Sequence, residues 1–140
     1  MNIIVCIDDG GGILFNHRRV SKDRVLMQWL AEHVEGKQVW ASTYSEDLFA
    51  ECKPTPKLMV AEDYLSQGAD EKGAYCFVED GDFKTYLPKI CRILLCKWNR
   101  RYPFDVKFPL DILKDFEEKN SWEFPGSSHE KITVEEWIRK

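Results

Sequence analysis

Residues 75–109 read YCFVEDGDFKTYLPKICRILLCKWNRRYPFDVKFP, and their order decides the fold. Tyr75–Val78 is a short apolar run and predicts a strand. The acidic turn Glu79-Asp80-Gly81-Asp82 comes next, then a helix to about Leu87 that Pro88 breaks. Cys91–Asn99 is apolar on both faces through its middle, which a central strand covered on two sides requires. Strand, helix and buried strand in that order make a parallel crossover unit.

The unit repeats upstream. Asn2–Ile7 predicts a buried strand, and Asp8-Asp9-Gly10-Gly11-Gly12 a flexible loop after it. Ser21 predicts a helix cap with Asp23 in the first turn, where the helix dipole favours an acid. Val25, Leu26, Trp29, Leu30 and Val34 then recur on one helical face, and Gly36 stops the helix. Gln38–Ser42 predicts a strand, Ser45 the cap of a short helix through Glu51, Leu58–Ala61 a strand, and Glu62–Gln67 a helix ended by Gly68. Downstream the pattern changes. Lys107–Pro109, Trp122–Phe124 and Lys131–Ile138 predict strands with turns between them. The whole chain, residues 1–140, reads as a single α/β domain: a mainly parallel central sheet flanked by helices, closed by antiparallel C-terminal strands.

Composition narrows the function classes. The chain has 140 residues and a net charge of -4 (Lys+Arg 20, Asp+Glu 24), which disfavours a coat for long nucleic acid. The apolar runs, Ile93–Cys96 among them, are too short to span a membrane, and Met1–Ile7 lacks the basic start that a secretory leader needs. Five cysteines include no Cys-x-x-C and no zinc spacing, so they read as reduced thiols of a cytoplasmic protein, with no metal site.

With these residues the order resembles dihydrofolate reductase. The match runs through Asn2–Asp9, Gly12-Ile13, the Val20-Ser21-Lys22-Asp23 entry to the first helix, Cys76-Phe77-Val78, Phe83, Leu87-Pro88-Lys89, Arg92–Leu95, Asp105-Val106-Lys107-Phe108-Pro109 and Ser128-His129. The resemblance implies that family's fold, with Asp23 as the acid that holds or protonates a pterin ring. Its cofactor turns are missing. Where the family holds the phosphates of NADPH with Gly-Arg-x-Thr and Gly-Gly turns, this chain has Ala41-Ser42-Thr43-Tyr44 and Glu79-Asp80-Gly81. Carboxylates repel a pyrophosphate, and Gly is what lets one approach closely. The segment between Glu51 and Leu58 is also shorter than in the reductase. The expectation is therefore a protein without that cofactor.

Phe15-Asn16, Arg18-Arg19, Trp98-Asn99-Arg100, Tyr102-Pro103 and Gly126–Thr133 also resemble short bacterial and phage proteins, some of which carry the automatic label ribonuclease Z. That enzyme needs a histidine-rich zinc motif, and His17, His33 and His129 are too scattered to form one.

In open α/β sheets ligands bind at the carboxyl ends of the strands. The loops expected there are Asp8–Arg19, Asn99–Asp105 and Gly126–Glu130. Their ligand-binding candidates are Asn16, Arg18, Arg19, Cys96, Trp98, Asn99, Arg100, Tyr102, Asp105 and Ser128; the catalytic candidates are His129, Glu130 and Asp23. Arg binds phosphate with two parallel bonds, and aromatics stack bases. Bland readings stand beside these: Arg100 and Arg101 as a solvated turn paired with Asp105, Trp98 as core, Asp23 as a helix-start acid. The leading expectation is a binder of a small phosphorylated or heteroaromatic ligand, of the kind a phage protein sequestering a nucleotide immune signal needs. A metal-independent phosphodiesterase with His129 as acid–base and a pterin reductase are the alternatives. A shortened sheet with a free edge would also suit a homodimer.

Overall fold

A computed structural model describes residues 1–79 and 83–140 of the chain. Ten strands are described: β1 (Asn2–Ile7), β2 (Gly12–Phe15), β3 (Arg18–Arg19), β4 (Gln38–Ala41), β5 (Lys57–Val60), β6 (Tyr75–Val78), β7 (Arg92–Lys97), β8 (Val106–Lys107), β9 (Phe116–Phe124) and β10 (Ile132–Arg139). Two α-helices, α1 (Arg24–His33) and α2 (Tyr64–Ala69), and three short 3-10 helices complete them. The main sheet has the order β5-β4-β6-β1-β7-β10-β9, and a small second sheet the order β3-β2-β8. β1 pairs in parallel with both β6 and β7, and β4 in parallel with β5 and β6. β10 runs antiparallel to β7 and to β9. This is the mainly parallel sheet with antiparallel C-terminal strands that the sequence predicts.

The side-chain period of two along β1 divides the core. Ile3, Val5 and Ile7 pack on one face with Trp40, Tyr64, Cys76 and Leu95. Ile4 packs on the other, under Leu26, Leu30 and Phe77. Both faces are dry, so β1 and β6 are continuous apolar runs. The thiols serve as small hydrophobes there, and burial pushes Cys76 up to about 12.

Several local expectations are corrected. Asp23, not Ser21, caps α1, accepting from the Val25 and Leu26 amides. Ser45 caps nothing; the 3-10 helix Thr43–Phe49 starts after Ser42, and Ser45 donates to Glu79 instead. Gly68 lies inside α2 because a Cβ there would overlap the Cys76 sulfur and crowd Trp40, so it sets the helix against the sheet instead of ending it. Pro88 sits inside the 3-10 helix Phe83–Lys89. The loop expected after β1 holds a hairpin, with Leu14 opposite Arg19 and Phe15 opposite Arg18. In the expected acidic turn, Asp80, Gly81 and Asp82 lie outside the described residues. Among the described residues no helix is long and apolar enough to cross a membrane.

Candidate functional site

The five parallel strands end at one edge of the sheet, β5 outermost. The residues just past the other four are Asp8 after β1, Ser42 after β4, Glu79 after β6 and Trp98 after β7. Three networks form there.

The first is centred on Asp23. Its Oδ1 accepts from the Val25 amide (2.9 Å), the Leu26 amide (3.2 Å), the Ser127 amide (3.0 Å) and the Ser127 hydroxyl (3.3 Å). Its Oδ2 accepts from the Ser128 amide (2.8 Å) and faces His129 Nδ1 at 2.9 Å. The β9–β10 loop can press this close because residue 126 is Gly: a Cβ there would overlap Asp23 itself. The loop is closed by the Gly126 amide donating to the His129 carbonyl at 2.9 Å. Burial alone would raise the carboxyl, but the His129 bond and the Ser128, Ser127 and Leu26 amides outweigh it and hold Asp23 well below the usual carboxylate range. An ionised Asp23 takes a proton donor, which puts a hydrogen on Nδ1; in the neutral form of the ring Nε2 is then the acceptor.

That Nε2 meets two hydroxyls, Ser21 Oγ at 2.9 Å and Tyr102 Oη at 3.0 Å, themselves 3.3 Å apart. The imidazole stacks on Trp98 with centroids 4.7 Å apart at 21°. Asp23 and His129 are 2% and 5% exposed, while Ser21 and Tyr102 are half-buried. The result is a line from a buried carboxylate through an imidazole to a hydroxyl nearer solvent.

The second network absorbs Arg19. Its guanidinium makes a two-pronged pair with Glu79 at 2.7 and 2.9 Å and lies over the Tyr44 ring. Ser45 Oγ donates to the same carboxylate at 2.7 Å. Glu79 is 6% exposed. Burial works against the Arg19 charge, and the Glu79 bonds outweigh it, so its pKa rises. In the third network Asp8 accepts from the Gly10, Gly12 and Tyr102 amides, which fixes the entry of the 99–105 loop.

The remaining candidates separate. Arg19 faces inward to Glu79 and is not free for a ligand. Cys96 is fully buried in the core and meets none. Asp105 accepts the Asn16 amide at 3.0 Å, so these two hold a turn with Asn16 at φ 53°, and among the described residues neither pairs with an arginine. Asn99, at φ 58°, donates to the Lys131 carbonyl and to Thr133, tying β7 to β10. Glu130 is exposed and outside the His129 network. Trp98 is core as well as a platform for His129. Arg18 and Arg100 border different clefts, and His129 lines neither of the two. Arg18 borders a cleft of about 410 Å³ with Asn16, Val20, Tyr102 and Pro103. Arg100 borders another of about 520 Å³ with Trp98, Ser128, Glu130 and Lys131. The two are linked through Tyr102, over whose ring the Arg100 guanidinium lies at 5.6 Å. A third hollow of about 490 Å³ runs beside Asp23 and is lined by Lys22, Arg24, Met27 and Ser127 together with the carboxylates of Asp47 and Glu51. Among the described residues Arg18, Lys22, Arg24 and Arg100 make no ion pair. Ser21 is the site residue that sequence reasoning assigns to the wrong task, since a serine two residues before an aspartate at a helix start reads equally well as the cap.

The class that this architecture defines is a dihydrofolate reductase-like fold. Among solved structures, the dihydrofolate reductase from Enterococcus faecalis complexed with NADP(H) and RAB-propyl superposes with a TM-score of 0.68 at 12% identity, covering 99% of this chain and 95% of that one. No family model matches the chain, and no curated protein matches it in sequence.

Proposed function

We propose that the protein binds a small phosphorylated, nucleotide-like ligand at the edge where the Arg18 and Arg100 clefts adjoin through Tyr102. The observation that carries this reading is the set of cations without an ion pair among the described residues, Arg18, Arg100, Lys22 and Arg24, around the buried His129–Asp23 pair of an acidic protein. Guanidinium groups bind phosphate oxygens in pairs, and Tyr102 supplies a face for a base. Calorimetry with a panel of mononucleotides, dinucleotides and cyclic nucleotides tests it, nucleotide signals included. The expected result is a micromolar ligand whose affinity falls in Arg100→Ala and Arg18→Ala. No micromolar binder in the panel rejects the reading.

Hydrolysis of the ligand's phosphodiester is the second reading. It is favoured by His129 Nε2, which presents an acceptor to two hydroxyls while Nδ1 is held by a carboxylate. Release of a cleaved product separates it from simple binding.

Reduction of a pterin fits the site less well. Both Asp23 oxygens are already filled by groups of the chain itself, and Glu79, at one of the turns where the resemblance expects cofactor phosphates, is paired with Arg19. Absence of NADPH oxidation with dihydrofolate is the expected result.

A further inference from the structure

Ser21, His129 and Asp23 stand in the order that activates a hydroxyl. Ser21 Oγ lies 2.9 Å from Nε2, and Nδ1 lies 2.9 Å from Asp23 Oδ2. Such a line is recognised by its geometry and not by the spacing of its members in the chain. A purely structural lock explains the buried half of it. It does not explain the outer half. The neutral Nε2 has one lone pair and faces two hydroxyls, Ser21 Oγ at 2.9 Å and Tyr102 Oη at 3.0 Å, so one of them donates to it at a time. One hydroxyl suffices for a structural lock; the Ser21 hydroxyl is half-buried and lies between Val20, which lines the Arg18 cleft, and Lys22, which lines the hollow beside Asp23.

We propose that Ser21 is the nucleophile of a covalent phosphoryl-transfer step on a phosphodiester; this deepens the hydrolytic reading above and rests on it. Ser21 Oγ forms the bond to phosphorus as its proton passes to Nε2. The bond from phosphorus to the leaving oxygen breaks, and the proton on Nε2 goes to that oxygen. Water then gives a proton to Nε2, bonds to the phosphorus and displaces Ser21, which recovers its proton from the imidazole. No oxidant or metal enters the balance. Asp23 is a positioning residue, holding the ring with Nε2 toward Ser21. Ser21 Oγ donates to Tyr102 Oη at 3.3 Å, and for attack it turns that proton to Nε2 instead.

The test treats the full chain with an alkyl fluorophosphonate, whose phosphorus is attacked by the same chemistry, and with bis(p-nitrophenyl) phosphate. The expected result is one phosphonyl adduct, located on Ser21 by peptide mass, and slow release of p-nitrophenol. Ser21→Ala abolishes both and melts at the wild-type temperature, because Tyr102 still serves Nε2. His129→Gln slows labelling by about 10²–10⁴-fold, the usual weight of a general base. A folded wild type that remains unlabelled at Ser21, or a Ser21→Ala protein that still turns over the diester, overturns the proposal. Nucleotide binding by calorimetry without a Ser21 adduct overturns the nucleophile and leaves the binding reading standing. A Ser21 adduct that no nucleotide slows supports the nucleophile and rejects the nucleotide as ligand.

Discussion

Asp23 shows how much one side chain can carry. It caps α1, anchors two amides of the β9–β10 loop and fixes the His129 tautomer, all with two oxygens. Every one of those donors favours the ionised form. A carboxyl whose folded value lies below its unfolded one adds stability at pH values above the unfolded value, about 3.9, and loses it as the pH falls below that. The wild type should therefore show a steep fall in melting temperature on acidification below about pH 4. Asp23→Asn should melt lower than the wild type at pH 7 and show a shallower acid limb, because the neutral amide has no ionisation to lose. Thermal melts from pH 2 to pH 8 check this. Equal acid slopes in the two proteins would show that Asp23 carries no such linkage.

At the scale of elements, the Arg19–Glu79 pair does for the front edge what Asp23 does for the back. It joins the hairpin residue Arg19, the end of β6 and, through Ser45, the 3-10 helix after β4. The two partners are not equal: the Arg19 side chain is 21% exposed and Glu79 only 7%. Removing Glu79 lets the guanidinium turn toward water, whereas removing Arg19 leaves the carboxylate, among the described residues, with the Ser45 hydroxyl alone. Arg19→Ala should therefore cost more than Glu79→Ala, by about 1–3 kcal/mol, the usual penalty for an unsatisfied buried polar group. Urea denaturation of both variants decides it, and the reverse order would mean that the pair is strained. Elements of this kind also mark what the sequence can and cannot tell. β1 and β6 have the bounds that their residues predict, because strands covered on both faces are bare apolar runs. For β9 the residues predict only Trp122–Phe124, yet the strand spans Phe116–Phe124, because Glu117, Glu118, Lys119 and Asn120 are exposed on an edge strand and carry no apolar alternation. The hairpin β2–β3 is too short for any period to show. At the site, His129 is legible as a residue type on a loop expected at the strand ends, and Asp23 as the acid at the start of the first helix. Ser21 is not, since its partner is 108 residues away and nothing local favours the hydroxyl's reach to His129 over a helix cap. Arg19 reads as a ligand-binding candidate and Glu79 as part of an acidic turn, and only their meeting across 60 residues shows them as a pair.

For the molecule as a whole, the site is where the parallel half of the sheet meets its antiparallel end. β7 is the shared strand: β1 runs parallel on one side of it and β10 antiparallel on the other. The β9–β10 loop therefore returns to the same edge as the ends of the parallel strands and drops His129 onto Trp98 and Asp23. The grip of that loop on α1 is separate from the stability of the central strands, whose side chains are buried on both faces regardless of it. Amide hydrogen exchange should make the separation visible, since protection reports local opening as well as global unfolding. In the wild type, β1, β6 and β7 should exchange last, and β5 and β8, short and on sheet edges, should exchange early. In His129→Ala, exchange should quicken at residues 125–131 and in the first turn of α1, with β1 and β7 unchanged. If protection fell across the whole sheet, the His129–Asp23 contact would be part of the cooperative core. If residues 125–131 did not respond, the loop would be held by Ser127, Ser128 and Gly126 alone, and His129 would be free of a structural duty.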